Sequence, residues 1–210
     1  MDVRSQILNV ATRRFAAHGV DATSLSSIAD EVGVRKPSLL YHFASKDQLH
    51  RAVLDQVLSH WNEALPRLLE AAAGDDRFDA LLGETIRFFS DDPDRARLLL
   101  REVLDRPEEL RARLVEAVQP WIAVIAGYVR RGQESGELRG DADPEAYLFH
   151  VIHLVVGGIA IADTLGVILG VGADGQYRRW VEELKRIARV GLFTEAGLLA
   201  AASPRISARS

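Results

Sequence analysis

The sequence has no cysteine. That excludes a disulfide framework and thiolate chemistry, and it fits a reducing compartment. Strand signals are nearly absent, and there is no internal repeat or low-complexity tract. Glycine-rich phosphate loops, zinc-ligand spacings and a nucleophile elbow are missing, which disfavours an enzyme. The opening MDVRSQILNVATRRF is broken by charge every few residues, so it makes neither a signal peptide nor a membrane anchor. Long apolar runs are scarce. The one at 151–172, VIHLVVGGIAIADTLGVILGVG, is long enough to span a bilayer. Asp163 near its middle would cost at least about 2.5 kcal/mol in lipid, and no aromatic belt brackets the run. A helix buried on two sides, in a core and a subunit interface, accounts better for it.

What is present is an ordinary globular composition. The chain has 210 residues, 48% hydrophobic and 27% charged, enough to bury a core. The net charge of −4 is uneven: residues 1–50 hold six Lys/Arg and five Asp/Glu, a net of +1, leaving −5 for the rest. Local charge, not the total, sets phosphate affinity.

Almost every segment has a helical period. Val3, Ile7, Leu8, Ala11 and Phe15 share one face of a first helix, with Gly19 placed to end it in the left-handed conformation. Thr23 or Ser24 can cap a second helix whose stripe is Leu25, Ile28, Ala29 and Val32. Ser45 can cap a long helix through Leu49, Val53, Leu54, Val57, Leu58 and Trp61, with Pro66 expected to kink or end it. Further helices are predicted at 76–90, 93–104, 107–134, 143–169 and 175–196. The fold class is therefore all-α: a three-helix unit over 1–46, a larger helical domain over 47–200, and a flexible tail over 201–210.

The stretch GVRKPSLLYHF, residues 33–43, carries the chemistry. Ala29 is small enough for two short helices to cross closely, and Gly33 tolerates positive φ between them. Ile28, Val32, Val34 and Leu39 can pin the pair, which is the spacing of a helix-turn-helix. With Leu39 and Phe43 facing inward, Arg35, Lys36, Pro37, Ser38, Tyr41 and His42 face out, where a recognition helix meets the major groove. Arg and Lys can bond guanine or phosphate, and the Pro ring can meet a thymine methyl. Ser38, Tyr41 and His42 can donate to phosphate oxygens. Lys36 is pushed from helical angles by Pro37, so the helix should start at 36 or 37.

The stretch DATSLSSIADEVGVRKPSLLYHFASKDQL, residues 21–49, resembles the DNA-binding domain of the TetR family of transcriptional regulators. ILNVATRRFAAHGVDATSL, residues 7–25, looks like that family's first helix and exit loop. The resemblance implies an all-helical homodimeric repressor with a C-terminal ligand-binding and dimerisation domain. It implies base-reading and backbone roles for Arg35, Lys36, Pro37 and Ser38. It implies phosphate contacts for Tyr41, His42 and Lys46, and a backbone-facing cap at Thr23 and Ser24. One departure is Leu40, where the family often has Tyr.

Beyond residue 50 the residues speak for themselves. Phe88, Phe89, Trp121, Ile125, Tyr128, His150, His153 and Asp163 are candidates to line an effector pocket, although the aromatics are more often core. His150 and His153, three apart on one helix face, are core or interface residues, ligand-facing groups, or two ligands of a metal site too small to hold one. Asp163 is an exposed helix position, an interface partner for an arginine, or a polar anchor in a pocket. Gly157, Gly158, Ile161, Trp180, Leu184 and Ile187 are candidates for the subunit interface, where paired long helices from each copy make a four-helix bundle. The glycines would let a partner helix approach closely. The expectation is a cytoplasmic, ligand-responsive DNA-binding regulator, not an enzyme, with no cofactor or metal. Its partners would be a double-stranded DNA operator, a small apolar effector and a second copy of the chain. A helical interaction protein without effector binding is the alternative.

Overall fold

The computed structural model describes residues 2–71, 77–170 and 173–202. Within them lie twelve helices: α1 (Val3–His18), α2 (Leu25–Val32), α3 (Lys36–His42), α4 (Lys46–Ala71), α5 (Arg77–Ser90), α6 (Pro93–Asp105), α7 (Pro107–Ala117), α8 (Gln119–Glu134), α9 (Pro144–Ala160), α10 (Ala162–Leu169), α11 (Ala173–Leu192) and α12 (Glu195–Ala202). No strand is present among the described residues; one isolated antiparallel bridge joins Leu138 to Phe193. The polar tail expected over 201–210 falls outside the described residues from 203 onward.

The helix starts follow from capping chemistry. Asp2 accepts from the Ser5 N–H at 2.6 Å, Ser24 from Ser27 at 3.0 Å, Ser45 from Gln48 at 3.1 Å and Asp143 from Ala146 at 2.8 Å. Each side chain satisfies an amide that the helix leaves free. Gly33 ends α2 in the left-handed region, at φ 80° and ψ 26°. Gly19 differs from the expectation. Its φ is positive, but ψ of 162° is extended, so the chain leaves α1 straight toward Val20 instead of curling back.

Of the two outcomes expected at Pro66, an end does not occur: α4 continues to Ala71 with one N–H donor fewer. Three breaks differ from the sequence reading. The helix expected over 107–134 divides at Val118, because Pro120 can neither donate to the preceding turn nor fit inside it. The run over 143–169 breaks at Ile161, where α9 and α10 are bent by 71° just after the Gly157–Gly158 pair. No single described helix is long and apolar enough to cross a membrane. α11 stops at Leu192, since Thr194 N–H and Arg139 N–H pair with Glu137 O and Leu192 O across the bridge.

One apolar core runs from α1 to α11. Ile7, Ala11 and Phe15 of α1 meet Ile28 and Ala29 of α2, Leu39 of α3, and Leu49, Val53 and Leu54 of α4. Val3 lies off that face and is exposed. The same core continues through Phe88 and Phe89 of α5, Leu98 of α6, Val155 and Ile159 of α9, and Leu184 and Ala188 of α11. α6 lies along α1, so the helix-turn-helix rests directly on the larger domain.

Candidate nucleic-acid interface

The outward face of α3 is built from its inward one. Leu39 and Phe43 are buried, with 0% and 1% exposure. Truncating a leucine at such a position costs about 2–5 kcal/mol. That anchoring fixes a seven-residue helix too short to hold itself. Arg35, in an extended conformation, precedes the first turn, and Lys36 and Pro37 open it. Arg35, Lys36, Pro37 and Ser38 are all exposed, and Tyr41 is 87% exposed. Neither Arg35 nor Lys36 makes an ion pair among the described residues. His42 is half-buried and stacks edge-on against Tyr41, with ring centroids 5.4 Å apart.

The cations of α1 behave differently. Arg13 and Arg14 both bind Glu31 of α2, at 2.9 and 2.6 Å. The hydrogen bond from Arg13 is the main cause that holds the Glu31 carboxyl below its ordinary range. These two arginines brace α2 against α1. Arg35 and Lys36 at the start of α3 make no such pair among the described residues.

Two residues expected at the DNA face are turned elsewhere. Lys46 directs its ammonium at the carbonyls of Val20, Asp21 and Thr23, at 2.9, 3.1 and 3.2 Å. An ammonium has three N–H donors, and all are occupied. Thr23 is buried, and its hydroxyl donates to Gly19 O at 2.8 Å. Both hold the α1–α2 loop, because that loop has carbonyls without helical partners. Ser24 remains exposed and caps α2.

The eight candidate pocket residues are not brought together. Phe88 and Phe89 are buried around Trp61 of α4, with centroids 5.1 and 6.2 Å from its ring. Trp121 donates to Asn62 at 3.1 Å, which places α8 near the same part of α4. Tyr128 lies under the Arg131 guanidinium at 4.5 Å, and Ile125 is half-buried nearby on α8. His150 and His153 are exposed and flank the Phe149 ring, so they are not core residues of this chain. Asp163 is 88% exposed and pairs with Arg97 of the same chain at 2.6 Å. No group of His, Cys, Asp and Glu able to hold a metal occurs among the described residues. A cleft of about 560 Å³ opens elsewhere, between Ala16 and Ala17 of α1, Arg97, Arg101 and Leu104 of α6, and Ala160 of α9.

The six candidate interface residues also divide. Gly158 faces Trp180 of the same chain, so closely that a Cβ there would overlap the indole. The glycine is needed inside one subunit, not between two. Leu184 is 3% exposed and Trp180 packs on the core, because the apolar stripe of α11 turns inward. Gly157 has nothing within 4 Å of where its Cβ would stand. It lies on the open face of α9 with Phe149, Leu154 and Ile161, which are 60%, 45% and 49% exposed. Ile187 and Val190 of α11 are open apolar positions, 46% and 48% exposed.

Known proteins agree with this architecture. The profile of the bacterial regulatory proteins, tetR family, matches residues 7–53, and that of the tetracyclin repressor-like C-terminal domain matches 99–167. The HTH-type transcriptional regulator RutR of Escherichia coli (strain K12) is 30% identical over 195 residues, covering 90% of each chain. The chain belongs to the TetR family of transcriptional regulators. TtgR of Pseudomonas putida, another such regulator, is 27% identical over 193 residues, covering 86% of this chain and 89% of its own. In fold, the ketosteroid transcriptional regulator KstR2 of Mycobacterium tuberculosis superposes with a TM-score of 0.71 at 20% identity, over 92% of this chain and 96% of that one. This TetR-family protein is a transcriptional regulator, and not an enzyme.

Three features of this TetR-family chain escaped the sequence reading. Arg4 of α1 lies over the Phe43 ring at 5.2 Å, adding a cation beside the end of α3. Trp61 gathers Phe88 and Phe89, and its buried indole N–H has no hydrogen-bond partner among the described residues. His50 and Glu102 are buried against one another. The signal for the last pair was present: each is a polar residue at a stripe position, His50 beside Leu49 and Glu102 one turn after Leu98. Only the packing of α4 and α6 puts them together.

Proposed function

We propose that the chain is a homodimeric repressor that reads a palindromic operator with α3 and leaves it when a small apolar effector binds. The observation that carries this reading is the outer face of α3, where Arg35 and Lys36 stand exposed and unpaired on a helix pinned by Leu39 and Phe43. In this reading Arg35, Lys36 and Pro37 meet base edges, and Ser38, Tyr41 and His42 meet phosphates. Ser24 and Arg4 flank the same groove. Lys46 and Thr23 act indirectly, by fixing the loop on which α2 is seated.

The second copy docks on the open face of α9 and α11. Phe149, Leu154, Gly157, Ile161, Ile187 and Val190 make an apolar surface that water would otherwise cover. Two helices from each copy then form a four-helix bundle, and two α3 helices fall about 34–36 Å apart, one turn of DNA. The effector enters beside α4 and α5, where Phe88 and Phe89 gather around Trp61, with Trp121 of α8 held to the next residue, Asn62. Only a difference in effector affinity between two conformers can release DNA. Action on chromosomal DNA places the protein in the cytoplasm.

A gel shift of the purified protein on the DNA upstream of its own gene tests the reading, beside a scrambled fragment. Binding of the upstream fragment at a protein concentration that leaves the scrambled one free supports it. Equal retardation of both fragments refutes sequence-specific recognition.

A further inference from the structure

α6 packs on both α1 and α9, and the three helices leave the cleft of about 560 Å³ between them. Its walls are mostly apolar: Ala16 and Ala17 of α1, Leu100 and Leu104 of α6, and Ala160 of α9. Leu104 is 80% exposed, an apolar side chain left open to water at the cleft. Small-molecule sites are apolar hollows of about 300–1,000 Å³ with a few placed polar groups. The polar groups here are Asp94, Arg97 and Arg101, two cations and one carboxylate for a net charge of +1. The aromatic residues around Trp61 take no part in it.

The two arginines are held differently. Arg101 donates to Ala16 O and Ala17 O at 2.7 and 2.8 Å, which ties α6 to the end of α1. Arg97 donates to Ala160 O at 3.2 Å and to Asp94 at 3.0 Å, and its remaining arm meets Asp163 of α10 at 2.6 Å. Asp163 is not part of the cleft wall, and its side chain is 88% exposed. An ion pair so open to water is weak and exchanges readily. A carboxylate arriving from solution can therefore displace Asp163 and match the fork of the guanidinium with its two oxygens. We infer that the cleft is a binding site for a small amphipathic carboxylate. Its apolar body lies against Ala17, Leu100 and Leu104, and its charged end sits on Arg97 in place of Asp163. This goes beyond the regulator reading and does not depend on it.

Charge sets the class of ligand. Asp94 already answers part of the charge of Arg97, so the wall balances one added negative charge, and a phosphate dianion would overfill it. A neutral apolar molecule could touch the same walls but would gain nothing from Arg97. Position sets the consequence. One wall belongs to α1, in the helix-turn-helix unit, and the others to α6 and α9 of the larger domain. A bound carboxylate would bridge the two parts beside the Arg101 bonds, and would raise the melting temperature in proportion to its occupancy of the folded state.

The test is titration calorimetry of the full-length protein with 2-naphthoate and with 2-naphthamide, which has the same shape and no charge. Wild type is compared with Asp163→Asn and Leu104→Glu. Both side chains are mostly exposed, so the fold should persist, and thermal denaturation without ligand checks it. 2-Naphthoate should bind the wild type, with the amide about tenfold weaker or worse for want of a charged hydrogen bond. Asp163→Asn removes the competing carboxylate and should tighten naphthoate by up to about fivefold, the worth of one exposed ion pair, while leaving the amide unchanged. Leu104→Glu sets a like charge at the cleft and should weaken naphthoate by about tenfold or more. Equal affinity of naphthoate for all three proteins would put its site elsewhere and overturn the inference. So would equal affinity for the amide, or no binding by wild type and Asp163→Asn at millimolar concentration. The gel shift on the upstream fragment is a separate readout: its failure would sink the regulator reading and leave the naphthoate result standing.

Discussion

Replacing Lys46 by Met separates a structural lysine from a phosphate-binding one. Methionine keeps the aliphatic stem and removes the ammonium. Three carbonyls then lose a charged donor: those of the buried Val20 and Thr23, and that of the exposed Asp21. A hydrogen bond to a charged group contributes about 1.5–3 kcal/mol net. The Asp21 carbonyl can turn to water, so two bonds are counted at the lower end, or about 3 kcal/mol. For a chain of this length each kcal/mol shifts Tm by about 2–4 °C, giving a fall of about 6–12 °C. Operator affinity should weaken only through the loosened loop. The slope of log affinity against log salt should not change, because no phosphate contact has been removed. The assays are thermal denaturation and operator titrations from 50 to 300 mM salt. A Lys46→Met protein with unchanged Tm and a salt slope lower by about one would place that ammonium on phosphate and refute this assignment.

Arg35→Ala/Lys36→Ala gives the opposite pattern: a salt slope lower by up to about two, specific binding lost, and Tm unchanged within about 1 °C, as read by the same titrations. Gly158→Ala should destabilise the fold by about 1–3 kcal/mol, because the new methyl overlaps Trp180, whereas Gly157→Ala should stabilise the isolated chain by up to about 1 kcal/mol. Urea denaturation of the two variants side by side checks this, and equal effects would mean that Trp180 moves aside freely. Phe149→Glu/Ile187→Glu should leave a folded monomer in sedimentation and cut operator affinity by about 100-fold or more, since two linked half-sites give way to one; a persistent dimer would place the interface elsewhere.

The sequence was sufficient for what is local. Helix period, serine and aspartate caps, the glycine after α2 and the Leu39–Phe43 spacing each depend on a few neighbouring residues. They fixed the fold class, the helix-turn-helix and the exposed face of α3 without knowledge of any distant contact. The motif around residues 21–49 was specific enough to indicate the family. Proline punctuation was less reliable. Pro120 stands at the start of a new helix and Pro66 inside a continuing one, although each removes one backbone N–H donor.

Tertiary structure decided where polar groups point. Lys46 has the same helix position whether it faces a phosphate or a loop, and only the path of the chain from Gly19 to Thr23 brings three carbonyls beneath it. A glycine pair in an apolar helix signals a close approach but not by whom; the neighbour of Gly158 is Trp180, further along the same chain, and Gly157 faces open space. His150, His153 and Asp163 lie in an apolar stretch of sequence yet on an open surface, because the faces of α9 and α10 that pack inward are taken by other residues. Periodicity says which residues share a face. Which face is buried, and against what, depends on contacts between residues far apart in the chain, and those exist only once the helices have packed.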